Sequence, residues 1–376
     1  MFVNSLAYGW SIVASIVCGF YLFCQAKSYR RDSAENNSDF RRLQKIFVPP
    51  YLAVLFSESL QAPYLFVLYY HYQFDKTQIG ALYVVGLLTT VIVVILCNLS
   101  TRLGRRLLCL LCVMAGSLGC LFKFFDSFLL LLIGRVLDGI FTALVTTPFQ
   151  NWYTHEHLAV YDFPAEWLPS SFAIVSVGAG ALAVAAGYIA EFAEATTRVT
   201  AFPFAIAIVF LVLAGFAIGS LWGENAADEA PTPIGQLLQK TLQAARSRPL
   251  VLCLCAVSLL SDSAIQLIAF VWSPIFVHAR YHGGDNVSFG VVYSALLSSS
   301  LAGSLIFSSS LFRRIPISRS LSLSLLLCLV TLLSVHSLLP DFLPQWKSTR
   351  FDKVLAHLIV LHFAIGIYTP AMNRLQ

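Results

Sequence analysis

"LLIGRVLDGIFTALVTT", residues 131–147, sets Arg135 and Asp138 in a run that is otherwise almost entirely apolar or small. A charged side chain at the centre of a membrane helix costs about 2.5–3.5 kcal/mol on insertion scales, so such residues face the bundle interior or a water-filled cavity. At the helical period, Arg135, Asp138, Thr142, Thr146 and Gln150 fall within about 60° of one direction, with Gly139 in the same stripe. Two readings follow. Either Arg135 and Asp138 neutralise each other as structural glue, or the polar face lines a path for a solute.

Composition favours lipid as the solvent. Of 376 residues, 58% are hydrophobic and 11% charged, with a mean hydropathy of +0.76. Soluble domains carry about 25% charged residues. A helix needs about 20 apolar residues to cross the hydrocarbon core, and eleven stretches of that kind are present, near 2–24, 46–70, 79–99, 107–124, 128–152, 171–192, 202–222, 249–276, 289–312, 321–339 and 354–368. The first lacks a basic leader and is followed by "KSYRRD", which reads as a retained anchor rather than a signal peptide. All nine Cys lie in or beside apolar runs; Cys109 and Cys112 have no His or second Cys pair nearby, so neither a metal site nor a disulfide framework is expected.

Basic residues set the orientation. With 25–45 in the cytoplasm, sixteen Lys and Arg fall in cytoplasmic loops and seven, Lys123 among them, on the other side. The N-terminus is then outside and Gln376 cytoplasmic. The net charge of +5 reflects this asymmetry and gives no reason to expect nucleic acid. The Pro-rich stretch 223–248 reads as a cytoplasmic linker with an amphipathic helix near 234–245. The organisation expected is an anchor and basic loop (1–45), a six-helix bundle (46–222), the linker, and a four-helix second bundle (249–376). "TRLGRRLL" and "FRRIPISR" occupy matching places in the two bundles, the internal repetition typical of secondary transporters.

Further polar residues lie within the apolar spans. "FSESLQAPY", 56–64, places Glu58 near mid-membrane on a face with Tyr51, Gln61 and Tyr69, and Pro63 frees a backbone carbonyl. "VSLLSDSAIQLIAFVWSP", 257–274, repeats the acid and amide with Asp262 and Gln266. Glu58 is read as a carboxylate that takes up a proton or as a neutral hydrogen-bonding group. His155 and His157 lack zinc-protease spacing. His362 is read as packing. Asn286 begins a sequon in an outward loop, while Asn36 and Asn98 begin sequons on the cytoplasmic side. No nucleophile–base constellation suggests an enzyme.

These residues resemble a known family. "LSTRLGRR" is similar to the loop signature of the major facilitator superfamily, and "GRVLDG" resembles its fourth-helix Arg motif. "LQAPYLFVLYYHYQF", "NWYTHEHLAVYDFPAEWLP", "LWGEN" and "GIYTPAM" are similar to the molybdate-anion transporter branch. The fold implied is an all-α polytopic membrane protein, a major-facilitator-type bundle with one extra N-terminal helix and about eleven transmembrane helices in all. Thr101 stands where the superfamily has an acid, and Asp138 where Gly is expected. Ten core helices stand against the family's twelve, so the last two are expected to be missing.

The resemblance implies a secondary active transporter that imports molybdate with high affinity by alternating access at the cell membrane. Arg135, Gln61, Tyr64, Thr142 and Gln266 are the expected substrate-binding residues; Glu58, Asp262 and Asp138 the proton-coupling ones; Gly104, Arg105 and Arg106 the gating loop. Three ionised carboxylates against one Arg leave a net charge of −2, which repels a dianion, so at least one is expected to be protonated when the anion binds. The partners are a small oxyanion and the lipid bilayer, the default assembly is a monomer, and no cofactor is expected. The alternatives are another solute such as sulfate or a small metabolite, or a non-transporting receptor or scaffold.

Overall fold

The computed structural model describes residues 2–29, 37–97, 104–224, 239, 243, 249–281, 287–309, 316–338 and 351–373. All elements among them are helical: α1 (Phe2–Tyr29), α2 (Ser38–Gln61), α3 (Leu65–His71), α4 (Lys76–Cys97), α5 (Arg105–Phe122), α6 (Phe128–Leu144), α7 (Thr147–His155), α8 (Leu168–Thr197), α9 (Phe202–Leu221), α10 (Pro249–Tyr281), α11 (Phe289–Ser308), α12 (Ile317–Leu338) and α13 (Phe351–Asn373). The amphipathic segment expected near 234–245, Thr101, and the sequons at Asn36, Asn98 and Asn286 lie outside the described residues, apart from positions 239 and 243.

Among the described residues eight helical spans are long and apolar enough to cross a membrane, one of them, Phe128–Val160, running through both α6 and α7, and there are nine if α2 and α3 form one bent span; Val3–Gly19 and Arg319–Leu333 are shorter apolar helices. Together they match the eleven apolar stretches. Phe216 and Phe192 stay 77% and 72% exposed, as suits a lipid-facing surface and not an aqueous one.

Two of the expected continuous helices are broken. The stretch 46–70 divides at 62–64 with a bend of 40°, where Pro63 removes a backbone donor and clashes with the preceding turn. The run 128–152 divides at Val145 and Thr146, and Pro148 opens α7 in the first turn, where a missing N–H is tolerated. Asn37 caps α2 by accepting hydrogen bonds from the backbone of Asp39 at 2.9 Å and Phe40 at 3.2 Å.

The chain forms two compact units. One comprises residues 31–182 and 192–243. In it α2 packs on α9, α4 and α5 flank α6, and α5 also meets α9. Small residues permit the tightest contact, as expected where no hydrophobic effect drives helices together in lipid. A Cβ on Gly139 would sit 2.6 Å from the Gly86 carbonyl oxygen. Thr90 ties the same crossing, its hydroxyl donating to the carbonyls of Gly86 at 3.0 Å and Gly139 at 3.2 Å.

The other unit comprises residues 1–30, 183–191 and 244–376. Within it α13 packs on α11 and α12, and α1 packs on α11. The α1 contact is polar at one end: Asn4 accepts from the Ser288 backbone N–H at 3.0 Å and donates to the Ser288 hydroxyl at 3.2 Å. Glu191 accepts from the Gly290 N–H at 2.9 Å, so carboxylate and amide together satisfy free donors at the start of α11.

Candidate functional site

Asp138, 8% exposed, is the hub of a buried charge cluster in the unit containing α2–α7. It is the eleventh residue of α6, placing it about 15 Å along that helix, half the thickness of a hydrocarbon core. Its Oδ2 accepts from Arg135 Nη1 at 3.0 Å, and its Oδ1 accepts from Lys123 Nζ at 2.8 Å. The Lys123 ammonium also donates to Gln61 Oε1 at 2.8 Å. The end of α2, the end of α5 and the middle of α6 therefore meet through hydrogen bonds that each involve at least one ion, the stronger class.

Two glycines make room for these groups. A Cβ on Gly119 would lie 2.6 Å from Asp138 Oδ1, and one on Gly86 would lie 2.6 Å from Arg135 Nη2. Arg135 is further fixed by donation from Nε to the Leu82 carbonyl at 3.3 Å and by its guanidinium standing 5.0 Å from the centre of the Tyr83 ring. Lys123 stands 5.1 Å from the centre of the Phe204 ring. Quadrupolar ring faces of this kind attract cations where water is scarce.

Lys123 corrects the sequence-based charge count. Hydropathy puts it in an outer loop, one residue past α5, yet its side chain is only 1% exposed. Its backbone closes the last turn of α5 on Cys120 and its side chain returns into the bundle. Two cations and one shared carboxylate give these three ions a net charge of +1, and counting Lys123 with Arg135 against Glu58, Asp138 and Asp262 changes the sequence-based sum from −2 to −1. The pair Arg135–Asp138 is thus two members of a three-ion group.

Of the other expected residues, Glu58 is half-buried on α2, three residues before Gln61, and within electrostatic range of Asp138. It makes no hydrogen bond or ion pair among the described residues. Tyr64 is fully buried in the α2–α3 bend. Tyr69, also fully buried, interacts electrostatically with Arg135 and Asp138, and its hydroxyl has no hydrogen-bond partner. Thr142, Thr146 and Gln150 are exposed, on either side of the α6–α7 break, so the polar face of α6 is withdrawn only at Arg135 and Asp138.

Gln266 is exposed on α10, in the other unit, and the Asp262 side chain on the same helix is outside the described residues. Gly104 caps α5; Arg106 donates to the Gly219 carbonyl at the end of α9, and one guanidinium nitrogen of Arg105 is buried without a partner. No group of three or more His, Cys, Asp or Glu among the described residues is placed to hold a metal ion.

A second cluster leaves no signature in the sequence. Trp152 and Trp222 stack with centroids 3.8 Å apart, Phe47 stacks on Tyr153 at 4.3 Å, and Tyr51 stacks on Phe149 at 4.9 Å. Trp152 Nε1 donates to the Gly223 carbonyl at 3.0 Å, and Tyr153 and Ser171 share a 2.5 Å hydroxyl contact. The segments "NWYTHEHLAVYDFPAEWLP" and "LWGEN" thus meet in an aromatic layer around α7.

A family model described as sugar transporters with 12 transmembrane helices matches residues 2–356. A molybdate-anion transporter of Takifugu rubripes is 32% identical over 402 residues, which cover 100% of this chain and 81% of that protein. One of Danio rerio is 34% identical over 377 residues, covering 93% of this chain and 76% of its own. The chain belongs to the molybdate-anion transporter family of the major facilitator superfamily. As a member it is a multi-pass membrane transporter and not an enzyme. Solved structures agree on the fold: the nucleoside transporter NupG superposes with a TM-score of 0.64 at 13% identity over 88% of this chain and 80% of that one. A D-xylose-proton symporter superposes at 0.59 with 11% identity over 87% and 81%. At such identities the likeness is one of fold alone.

Proposed function

We propose that this transporter imports molybdate across the plasma membrane by alternating access, with high affinity and coupled to protons, its N-terminus outside and Gln376 in the cytoplasm. The observation that carries the reading is the shared carboxylate: Asp138 holds two buried cations, Lys123 and Arg135, in a unit where few other charges are buried. A tetrahedral dianion needs a concentrated positive charge with directional donors, and a guanidinium supplies both. Gln61, Tyr64 and Thr142 are the further donors proposed in this unit, with Gln266 as the amide of the other.

Glu58 is the proposed proton carrier. It stands in electrostatic range of Asp138 and has no ion pair among the described residues, so entry of an anion beside it raises the cost of its negative charge and favours uptake of a proton. Asp262 is proposed to play the matching part in the other unit. Gly104, Arg105 and Arg106 are proposed as the gating loop, a reading supported by Arg106, which fastens the start of α5 to the Gly219 carbonyl near the end of α9.

Labelled molybdate uptake by cells expressing the chain tests this. Uptake should fall on addition of a protonophore and in Glu58→Gln. Normal transport by Glu58→Gln, unaffected by the protonophore, would rule out the coupling. Two cations suit sulfate equally well in charge, so unlabelled sulfate is the decisive competitor; displacement at concentrations equal to those of molybdate would make the substrate tetrahedral dianions as a class.

A further inference from the structure

Asp138 offers two oxygens, each taken by a different cation. A tetrahedral oxyanion presents an edge of two oxygens that can be held in the same way. Lys123 and Arg135 together carry +2, equal and opposite to the charge on a dianion such as molybdate. On the reading proposed above, we infer that Asp138 occupies the substrate's place in the empty transporter, and that the anion displaces it to lie between Lys123 and Arg135 with the Tyr69 hydroxyl as a further donor.

Independent geometry supports the substitution. Tyr69 is fully buried, yet its hydroxyl has no hydrogen-bond partner among the described residues, which is costly unless another state of the protein supplies one. It interacts electrostatically with both Arg135 and Asp138, so it lies within range of the same cluster. The cations have little freedom to leave: Lys123 is anchored by Gln61 and Phe204, and Arg135 by Leu82 and Tyr83. Asp138 has a glycine, Gly119, across from its Oδ1, and therefore no side chain on that residue to hold the carboxylate in place. Among the described residues, the other groups in electrostatic range of Asp138 are Glu58, Tyr83 and Cys120, none of them cationic.

Displacement also explains how a tightly held anion is released. A carboxylate tethered beside two cations returns to them as the anion leaves, so the site is never left with two unpaired buried charges, a state that membrane proteins avoid. Lys123 thereby becomes a substrate-binding residue and Asp138 an internal competitor.

The full chain in lipid nanodiscs, titrated with sodium molybdate and sodium sulfate, tests the inference alongside cellular uptake. Asp138→Asn removes the competitor, so molybdate should bind at least about tenfold more tightly while uptake falls. A purely structural Asp138 predicts the reverse, weaker binding in a loosened bundle. Lys123→Met should weaken binding at least about a hundredfold, and Lys123→Arg should restore it to within about tenfold of wild type.

Tyr69→Phe should weaken binding several-fold without lowering the melting temperature of the empty protein, because the hydroxyl it removes is unpaired there. Weaker or unchanged binding by Asp138→Asn overturns the inference. If that variant does not fold, unchanged affinity in Tyr69→Phe and Lys123→Met overturns it instead. Wild-type binding with these failures leaves the molybdate reading standing, whereas no binding of either anion by the wild type overturns both.

Discussion

The indole N–H of Trp222 donates to the carbonyl of Ile46 at 3.2 Å, and Pro50 is the reason that carbonyl is free. Within α2 the Ile46 oxygen would accept from residue 50, but proline has no N–H to give. The side chain that follows α9 therefore supplies the donor that proline withholds from a continuous α2. Trp222→Phe keeps an aromatic ring and loses the donor, and should cost about 1–2 kcal/mol of stability. In a Pro50→Ala background the same change should cost markedly less, since an alanine at that position supplies the missing backbone bond. Thermal melts of the four proteins in one detergent give the coupling; equal losses in both backgrounds would contradict it.

The crossing of α4 and α6 depends on the absence of side chains. With a Cβ on Gly139 only 2.6 Å from the Gly86 carbonyl, Gly139→Ala forces the helices apart and should destabilise by about 1–3 kcal/mol. Gly80, in the same α4, has nothing within 4 Å of its Cβ direction. Gly80→Ala should be neutral or stabilise by up to about 1 kcal/mol through helix propensity. Melting curves of the two variants should therefore move in opposite directions or lie clearly apart.

Arg135→Lys keeps the charge but loses the planar fork that reaches Asp138 and the Leu82 carbonyl at once. Molybdate uptake should fall at least about tenfold, the equivalent of one lost hydrogen bond to a charged group. Expression and melting temperature should change less than uptake does. Transport at the wild-type rate would show that the guanidinium acts only through its charge.

Asn4 is the polar fastening of α1 to the start of α11. Asn4→Ala leaves the Ser288 backbone donor without its acceptor, a loss comparable to removing a helix cap, about 1 kcal/mol. Asn4→Asp keeps the acceptor and should retain most of that stability. Hydrogen exchange of the backbone amides in the first turn of α11 offers a local readout, with faster exchange expected for the alanine variant than for the aspartate one.

The apolar spans were legible because membrane length and helical period leave a direct record in composition; both ends of α9 and the start of α6 fall where the hydropathy places them. Arg135, Asp138, Glu58 and Gln61 stood out for the same reason, as polar residues where lipid solvation forbids them. Lys123 did not, because it sits at the outer end of the apolar run 107–124, and a count by sequence assigns a charge at such an end to water. Only the closing turn of α5 carries it back to Asp138. The aromatic layer was equally hidden: Phe47, Trp152 and Trp222 are far apart in the chain, and stacking between distant rings has no period to read.

The interruption at Val145 and Thr146 has a mechanical meaning. Stiffness in a helix comes from its ladder of backbone bonds, and the Leu144 carbonyl lacks its usual rung because residue 148 is proline. The charged stretch of α6 and the ring-bearing stretch of α7 are thus joined where one rung is missing, the place at which this span costs least to bend.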